Sequence, residues 1–157
     1  MSYRVCLVCM GNICRSPMAE IVLRQTLDDH GLAERVSVDS AGTGGWHAGG
    51  PMDDRAARML ARHGYDGSSH RARQFARDWF GERDLVLAMD EENLRALRHM
   101  APPGADVRLF RSFDPEAPEG AEVPDPYYGG VQGFEQVLVQ VRAAAEGLAK
   151  KLSDELR

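Results

Sequence analysis

The chain is expected to fold as α/β: a four-stranded, parallel, twisted sheet in three layers, with helices on both faces and a distinctive loop between the first strand and the first helix. Three observations carry this expectation. Short apolar runs alternate with segments whose apolar residues recur at helical spacing, the order that gives right-handed βαβ crossovers and a parallel sheet buried on both faces. Glycines such as Gly31 and Gly64 close the helical segments. The first apolar run ends in a turn-prone loop, Cys9 to Ser16, from which a helix departs. With 157 residues, 43% of them hydrophobic, the chain suits one domain over residues 1–157 with a core of its own.

Tyr3 to Cys9 (Tyr-Arg-Val-Cys-Leu-Val-Cys) is short and mostly apolar, as a buried parallel strand is. Ser16 suits an N-cap and Pro17 the first helical position, where a missing N–H costs nothing. A helix is therefore expected from Pro17 to His30, with Ala19, Val22, Leu23 and Leu27 on one face. Arg35 to Ser40 reads as a second strand, followed by a glycine-rich loop to Gly50 that carries Trp46. Asp53 to His63 sets Ala56, Ala57, Leu60 and Ala61 inward on a helix, and a further short helix is expected from Arg73 to Phe80. The third strand is read at Asp84 to Met89, a helix at Asp90 to Met100, and the fourth strand at Val107 to Phe110. Between Ser112 and Gly130 lie Pro115, Pro118, Pro124 and Pro126 among acidic residues, which predicts a long loop. Loops of that length in compact domains are usually either functional or disordered. From about Val131 to Leu156, one stripe through Phe134, Val137, Leu138, Val141, Ala145, Leu148 and Leu152 predicts the closing helix.

A formal charge of -5 offers no broad basic face, so neither nucleic acid nor an anionic membrane is expected as a partner. No apolar run approaches the length of a membrane span, and Met1 to Val8 lacks the apolar core of a signal peptide. A cytoplasmic location is expected, with leaderless secretion left open. The three cysteines, Cys6, Cys9 and Cys14, crowd into nine residues, which suits local chemistry or packing rather than a disulfide framework. No metal and no other cofactor is expected.

In folds of this class ligands sit beyond the carboxyl ends of the strands, where the Cys9 loop, the Trp46 loop and Asp90 all fall. Gly11 and Asn12 tolerate the positive φ of a tight loop, so several N–H groups can turn inward around Cys9, beside a helix N-terminus and the Arg15 guanidinium. That is an anion site with a nucleophile at its base, in surroundings that favour a thiolate. The planar fork of Arg15 can grip two oxygens of a tetrahedral oxyanion. Thiolate attack on phosphorus would form a phosphocysteine and expel an oxygen leaving group, which then needs a proton. Asp125, held extended by Pro126 on the long loop, is the candidate acid, and later the base that activates water. Taken alone it would read as a solvated turn residue. Trp46, Tyr127 and Tyr128 could wall a slot for a flat aromatic substrate.

The segments Cys9-Met-Gly-Asn-Ile-Cys-Arg-Ser16 and Asp125-Pro-Tyr-Tyr128 resemble the low-molecular-weight protein tyrosine phosphatases. Ser40-Ala-Gly-Thr-Gly, Trp46, Ser69-His-Arg-Ala-Arg73 and Met89-Asp90 also fall where that family, most closely its actinobacterial-like members, has related segments. The resemblance spans essentially the whole chain. It implies hydrolysis of phosphotyrosine in proteins with inorganic phosphate as product, Cys9 being the nucleophile, Arg15 the phosphate clamp and Asp125 the general acid and base. It further implies that Met10, Gly11, Asn12, Ile13 and Cys14 build the phosphate loop and that Asn12, Ser16, Ser40 and His70 support it by hydrogen bonds. Met10 is placed at the pocket rim with Trp46, Tyr127 and Tyr128; many members have Thr, Leu or Ile at that position, which bears on substrate preference. Glu20 is implied as a partner of His70, and Cys14 as the partner in a reversible disulfide that shields Cys9 from overoxidation.

Three alternatives share part of this pattern. Arsenate reductases of the same fold relay oxidation to further cysteines, and none follows Cys14 here. Protein-arginine phosphatases carry Thr where this chain has Ile13, and a hydroxyl there suits a guanidinium substrate. A non-catalytic phosphotyrosine-binding module would need neither the thiol nor the loop acid. Oligomeric state is not legible.

Overall fold

The structure is a computed structural model that describes residues 2–127 and 129–156. Tyr128, expected in the substrate pocket, lies outside the described residues. Strand β1 (Tyr3–Cys9) leads to helix α1 (Arg15–Asp29), then β2 (Val36–Gly42), α2 (Asp54–Arg62) and a 3-10 turn (Arg77–Glu82). Strand β3 (Leu85–Ala88), α3 (Glu91–Met100), β4 (Val107–Leu109), a second 3-10 turn (Phe110–Phe113) and α4 (Val131–Glu155) complete the order. All strand pairings are parallel, and the sheet runs β2-β1-β3-β4. The chain steps from β1 to one side and returns to the other, so the crevice between the carboxyl ends of β1 and β3 is the point where strand order reverses.

Alternation along each strand sorts the side chains into two cores. Val5, Leu7 and Cys9 of β1, Val36 and Val38 of β2, and Leu85 and Leu87 of β3 face the larger core, built with α1, α2 and α4. Cys6, Val8, Ala41, Val86 and Ala88 face the smaller one, with Leu94 and Leu97 of α3 and Phe75 and Phe80. The same parity turns Ser40 toward the α1 side, and the register sets Leu7 opposite Ser40 and Cys9 opposite Gly42.

Several boundaries differ from expectation. Helix α1 begins at Arg15, not Pro17; Cys14 occupies the cap position with no side-chain cap bond, and Ser16 lies inside the first turn, fully buried. The serine hydroxyl is drawn into the loop instead of capping. Pro17 remains in the first turn, where its missing N–H is tolerated. The expected helix from Arg73 to Phe80 is only the 3-10 turn, because the preceding residues pair with the end of β2. Gly42 N–H donates to Arg73 O at 2.8 Å, and Phe75 N–H to Gly42 O at 2.7 Å. Strand β2 itself runs on to Gly42, where a Cβ would stand 2.6 Å from the Met10 carbonyl oxygen; only glycine lets the strand end lie so close under the loop.

Candidate active site

The loop from Cys9 to Arg15 leaves β1 at the reversal point, and it is held from three sides. Met10 O accepts from Gly44 N–H at 3.0 Å, Cys9 O from Thr43 N–H at 2.8 Å, and Ile13 O from Asp53 N–H at 2.8 Å. Asn12 takes a left-handed conformation, φ 56°, which asparagine tolerates better than most residues. Its side chain is fully buried, and its bonds fix which way the amide points. Oδ1 accepts from Arg73 N–H at 2.9 Å, while Nδ2 donates to Ser16 Oγ at 2.8 Å and to Ser40 Oγ at 3.0 Å. Ser40 in turn donates to the Glu20 carboxylate at 2.6 Å, since a carboxylate only accepts. With Asn12 donating to it, Ser16 Oγ has its own proton to share between Cys9 Sγ, 3.0 Å away, and the more distant Ala41 O at 3.4 Å. The Asn12 N–H also reaches Cys9 Sγ, at 3.2 Å. Among the described residues, no acceptor engages the N–H groups of Gly11, Ile13 or Cys14.

His70 closes the support. Its Nε2 lies 2.8 Å from Asn12 O, and because a carbonyl only accepts, Nε2 carries the proton. Burial pushes the His70 pKa below its ordinary value, against the opposing pull of that carbonyl, so the ring favours the neutral form. Glu20 does not take the expected partner: it is bonded to Ser40 and paired with Arg24 at 2.9 Å, because Ser40 stands between it and the loop.

Arg15 is 3% exposed. Its Nη1 donates to Asp90 Oδ2 at 2.6 Å and to Val123 O at 3.1 Å, and its Nη2 lies 3.7 Å from Asp125 Oδ2. Burial alone would favour deprotonation, but Cys9, Asp90 and Asp125 outweigh it and keep the guanidinium charged. Asp125, partly exposed on the long loop, accepts from the Tyr127 N–H at 3.0 Å. That loop is anchored rather than loose: Val123 is fully buried and its N–H donates to Met89 O at 2.7 Å.

Cys9, Arg15 and Asp125 meet in one cleft of about 320 Å3, lined also by Met10, Gly11, Ile13, Cys14, Trp46, His47 and Tyr127. A larger polar groove of about 700 Å3 lies behind the loop, against Glu20, Ser40 and His70, and includes none of Cys9, Arg15 and Asp125. The exposed indole of Trp46 and the Met10 side chain stand at the cleft, as does Tyr127, over whose ring Arg55 lies at 5.3 Å. Cys14 is buried in the same cleft wall, and burial pushes its thiol pKa well up. Among the described residues no group of three His, Cys, Asp or Glu could hold a metal ion. No helix of the described residues is long and apolar enough to cross a membrane.

Two residues at or beside the cleft were given no role from sequence. Asp90 orients Arg15; the sequence placed it only at a strand's carboxyl end and, by resemblance, in the segment Met89-Asp90, and a helix N-cap explains an acidic residue there equally well. His47 lines the cleft with no signal beyond its place next to Trp46.

A family model described as low molecular weight phosphotyrosine protein phosphatase matches residues 4–157. The chain is 54% identical over 160 residues to a low molecular weight protein-tyrosine-phosphatase of Streptomyces coelicolor, covering 99% of this chain and 97% of that one. It is 46% identical over 145 residues to low molecular weight protein-tyrosine phosphatase A of Mycobacterium tuberculosis, covering 92% and 88%. Its fold matches the crystal structure of a protein tyrosine phosphatase from Entamoeba histolytica with a TM-score of 0.93 at 35% identity, over 99% of this chain and all of the other.

Proposed function

The chain belongs to the low molecular weight phosphotyrosine protein phosphatase family, and we propose that it hydrolyses phosphotyrosine in proteins through a phosphocysteine on Cys9. The observation that carries the assignment of residues is the convergence of Cys9, Arg15 and Asp125 on one cleft, with Ser16 and the Asn12 N–H both aimed at the sulfur. The unengaged loop N–H groups and the Arg15 fork bind the phosphoryl oxygens, and the Cys9 thiolate attacks phosphorus in line. Asp125 delivers its proton to the departing tyrosine oxygen, then takes one from the water that cleaves the phosphocysteine, releasing inorganic phosphate. Asn12, Ser40 and His70 act by holding the loop's shape. Met10, Trp46 and Tyr127 flank the aromatic ring, and Ile13, half-buried at the cleft, offers no hydroxyl for a guanidinium substrate.

A Cys9→Ser variant tests this. It is expected to abolish turnover of phosphotyrosine peptides while retaining their binding; unchanged turnover would sink the assignment. In the same assay Asp125→Ala is expected to lose far more rate on phenyl phosphate than on the better leaving group of p-nitrophenyl phosphate, and an equal loss on both removes Asp125 as the acid.

Cys14 serves as the redox partner. Peroxide converts Cys9 to the sulfenic acid, the Cys14 thiol attacks that sulfur, and water leaves as the disulfide forms. The raised Cys14 pKa makes this step faster at higher pH. Mass spectra after mild peroxide should show a thiol-reversible Cys9–Cys14 bridge, whereas sulfinic Cys9 alone would count against it. The thiols, all free, suit action in the reducing cytoplasm, a location that cell fractionation checks.

A further inference from the structure

Along one side of α2 runs a row of guanidiniums that the reaction at Cys9 does not use. Arg55 starts it at the mouth of the cleft: its Cζ lies 5.3 Å from the centre of the Tyr127 ring and 4.8 Å from that of Phe134, and the Asp53 carboxylate fixes it at 3.0 Å. Arg58 and Arg62 follow at spacings of three and four residues, the intervals that share a helix face. They stand roughly 4.5 and 10 Å farther along the axis, at 1.5 Å of rise per residue. Both are exposed, and neither guanidinium forms a hydrogen bond or ion pair with any described residue. By contrast, Arg4, Arg15, Arg24, Arg73, Arg83 and Arg108 are all paired with carboxylates.

Helix α4 packs beside α2 and adds to the same strip. The guanidinium of Arg142 lies over the ring of Tyr65, just past the end of α2, and α4 leaves Val131 and Val139 55% and 63% exposed. The α2 row is thus cationic in a chain whose net charge is -5, while the exposed face of α4 beside it mixes Arg142, Val131 and Val139 with Glu135 and Glu146, the latter paired with His30. It starts at the residue that flanks the substrate ring and leads away from it.

We propose that this α2–α4 strip docks the acidic flank of the phosphotyrosine-bearing segment. The proposal rests on the phosphotyrosine reading above. With the phosphotyrosine seated over Cys9, an extended segment advancing about 3.3 Å per residue brings carboxylates about three to five positions away within reach of Arg58 and Arg62. The preferred substrates are therefore phosphotyrosine segments with clustered Asp or Glu on one side, and the gain lies in substrate capture rather than in the chemical step.

The experiment compares three phosphotyrosine peptides, identical except for acidic, neutral or lysine residues three to five positions from the phosphotyrosine on either side. Each is assayed with the wild type and with Arg58→Glu/Arg62→Glu, using p-nitrophenyl phosphate as a substrate too small to reach α2. Exposed charge pairs are individually weak, so the wild type is expected to prefer the acidic peptide about three- to tenfold in kcat/KM, mostly through KM. That preference should collapse at about 0.5 M salt. The variant should prefer the lysine peptide, with turnover of p-nitrophenyl phosphate unchanged. Uniform kcat/KM across the peptides in both proteins overturns the strip alone. Loss of sedimentation with phosphatidylserine vesicles in the variant, without any change in peptide kinetics, also overturns it and assigns the arginines to a membrane surface. Failure to hydrolyse any phosphotyrosine peptide strikes the reading above and this proposal with it.

Discussion

Asp90 carries two loads on one carboxylate. Oδ1 caps α3 by accepting from the Asn93 N–H at 2.8 Å, while Oδ2 anchors Arg15 at 2.6 Å. Asparagine caps a helix about as well as aspartate, but its Nδ2 would face the Arg15 donor where an acceptor is needed. Asp90→Asn is therefore expected to change stability by less than about 1 kcal/mol. It should lower kcat/KM by about 10- to 100-fold through a misplaced clamp. Steady-state kinetics beside a urea melt separates the two effects, and a parallel loss of both would make Asp90 merely structural. His70 predicts a pH dependence. Burial holds its folded pKa below the ordinary 6.5, so as pH falls below 6.5 the unfolded chain takes up a proton that the folded one resists. Stability is full above that value and declines as pH falls toward the folded pKa. Urea midpoints at about pH 7.5 and 5.5 should separate more for the wild type than for His70→Gln; identical separation removes His70 as the cause. At this scale the sequence marked Cys9, Arg15 and Asp125 by residue type and context, whereas Ser40 and His70 came only from resemblance. A serine at the end of a strand and a histidine in a loop have no pattern of their own.

Among the elements, α4 shows how packing overrides propensity. Gly147 sits mid-helix, where alanine normally gains about 1 kcal/mol. A Cβ at that position would stand 1.8 Å from the Phe113 carbonyl oxygen, so the glycine is what lets the Phe110–Phe113 turn press against the helix. Gly147→Ala is expected to destabilise by about 1–3 kcal/mol, the usual range for overpacking, and a denaturant midpoint that rises instead would refute the close approach. The helical stripe of α4 was readable from its spacing, but this close backbone approach at Gly147 was not. Helix α1 teaches the same lesson from its other end. Ser16-Pro17 has the composition of a helix start, yet the helix begins at Arg15 because Ser16 is bonded to Asn12 and Cys9 across the loop. The long proline-rich loop was expected between Ser112 and Gly130; that it is tied down at Val123, whose carbonyl also receives Arg15, depends on where β3 ends.

Across the whole molecule the two faces of the sheet are unequal. The α1, α2 and α4 side holds the larger core, with Met18, Leu23, Leu138 and Leu148 fully buried, while the α3 side closes over a smaller cluster and ends in the three-residue edge strand β4. Opening free energy follows buried apolar contact. Amide exchange is therefore expected to be slowest in β1, α1 and the middle of α4 and faster in β4 and α3, with uniform protection counting against the asymmetry. Alternating strand and helix patterns in the chain determined the parallel three-layer sheet and put the thiol loop at a carboxyl end, because periodicity and turn residues act locally. What only the tertiary structure decided is which distant groups converge there. Asp90 and Asp125 reach Arg15, and Ser40, His70 and Arg73 reach Asn12, because strand order, register and one missing Cβ at Gly42 bring separate segments within hydrogen-bond distance. No local pattern encodes those coincidences.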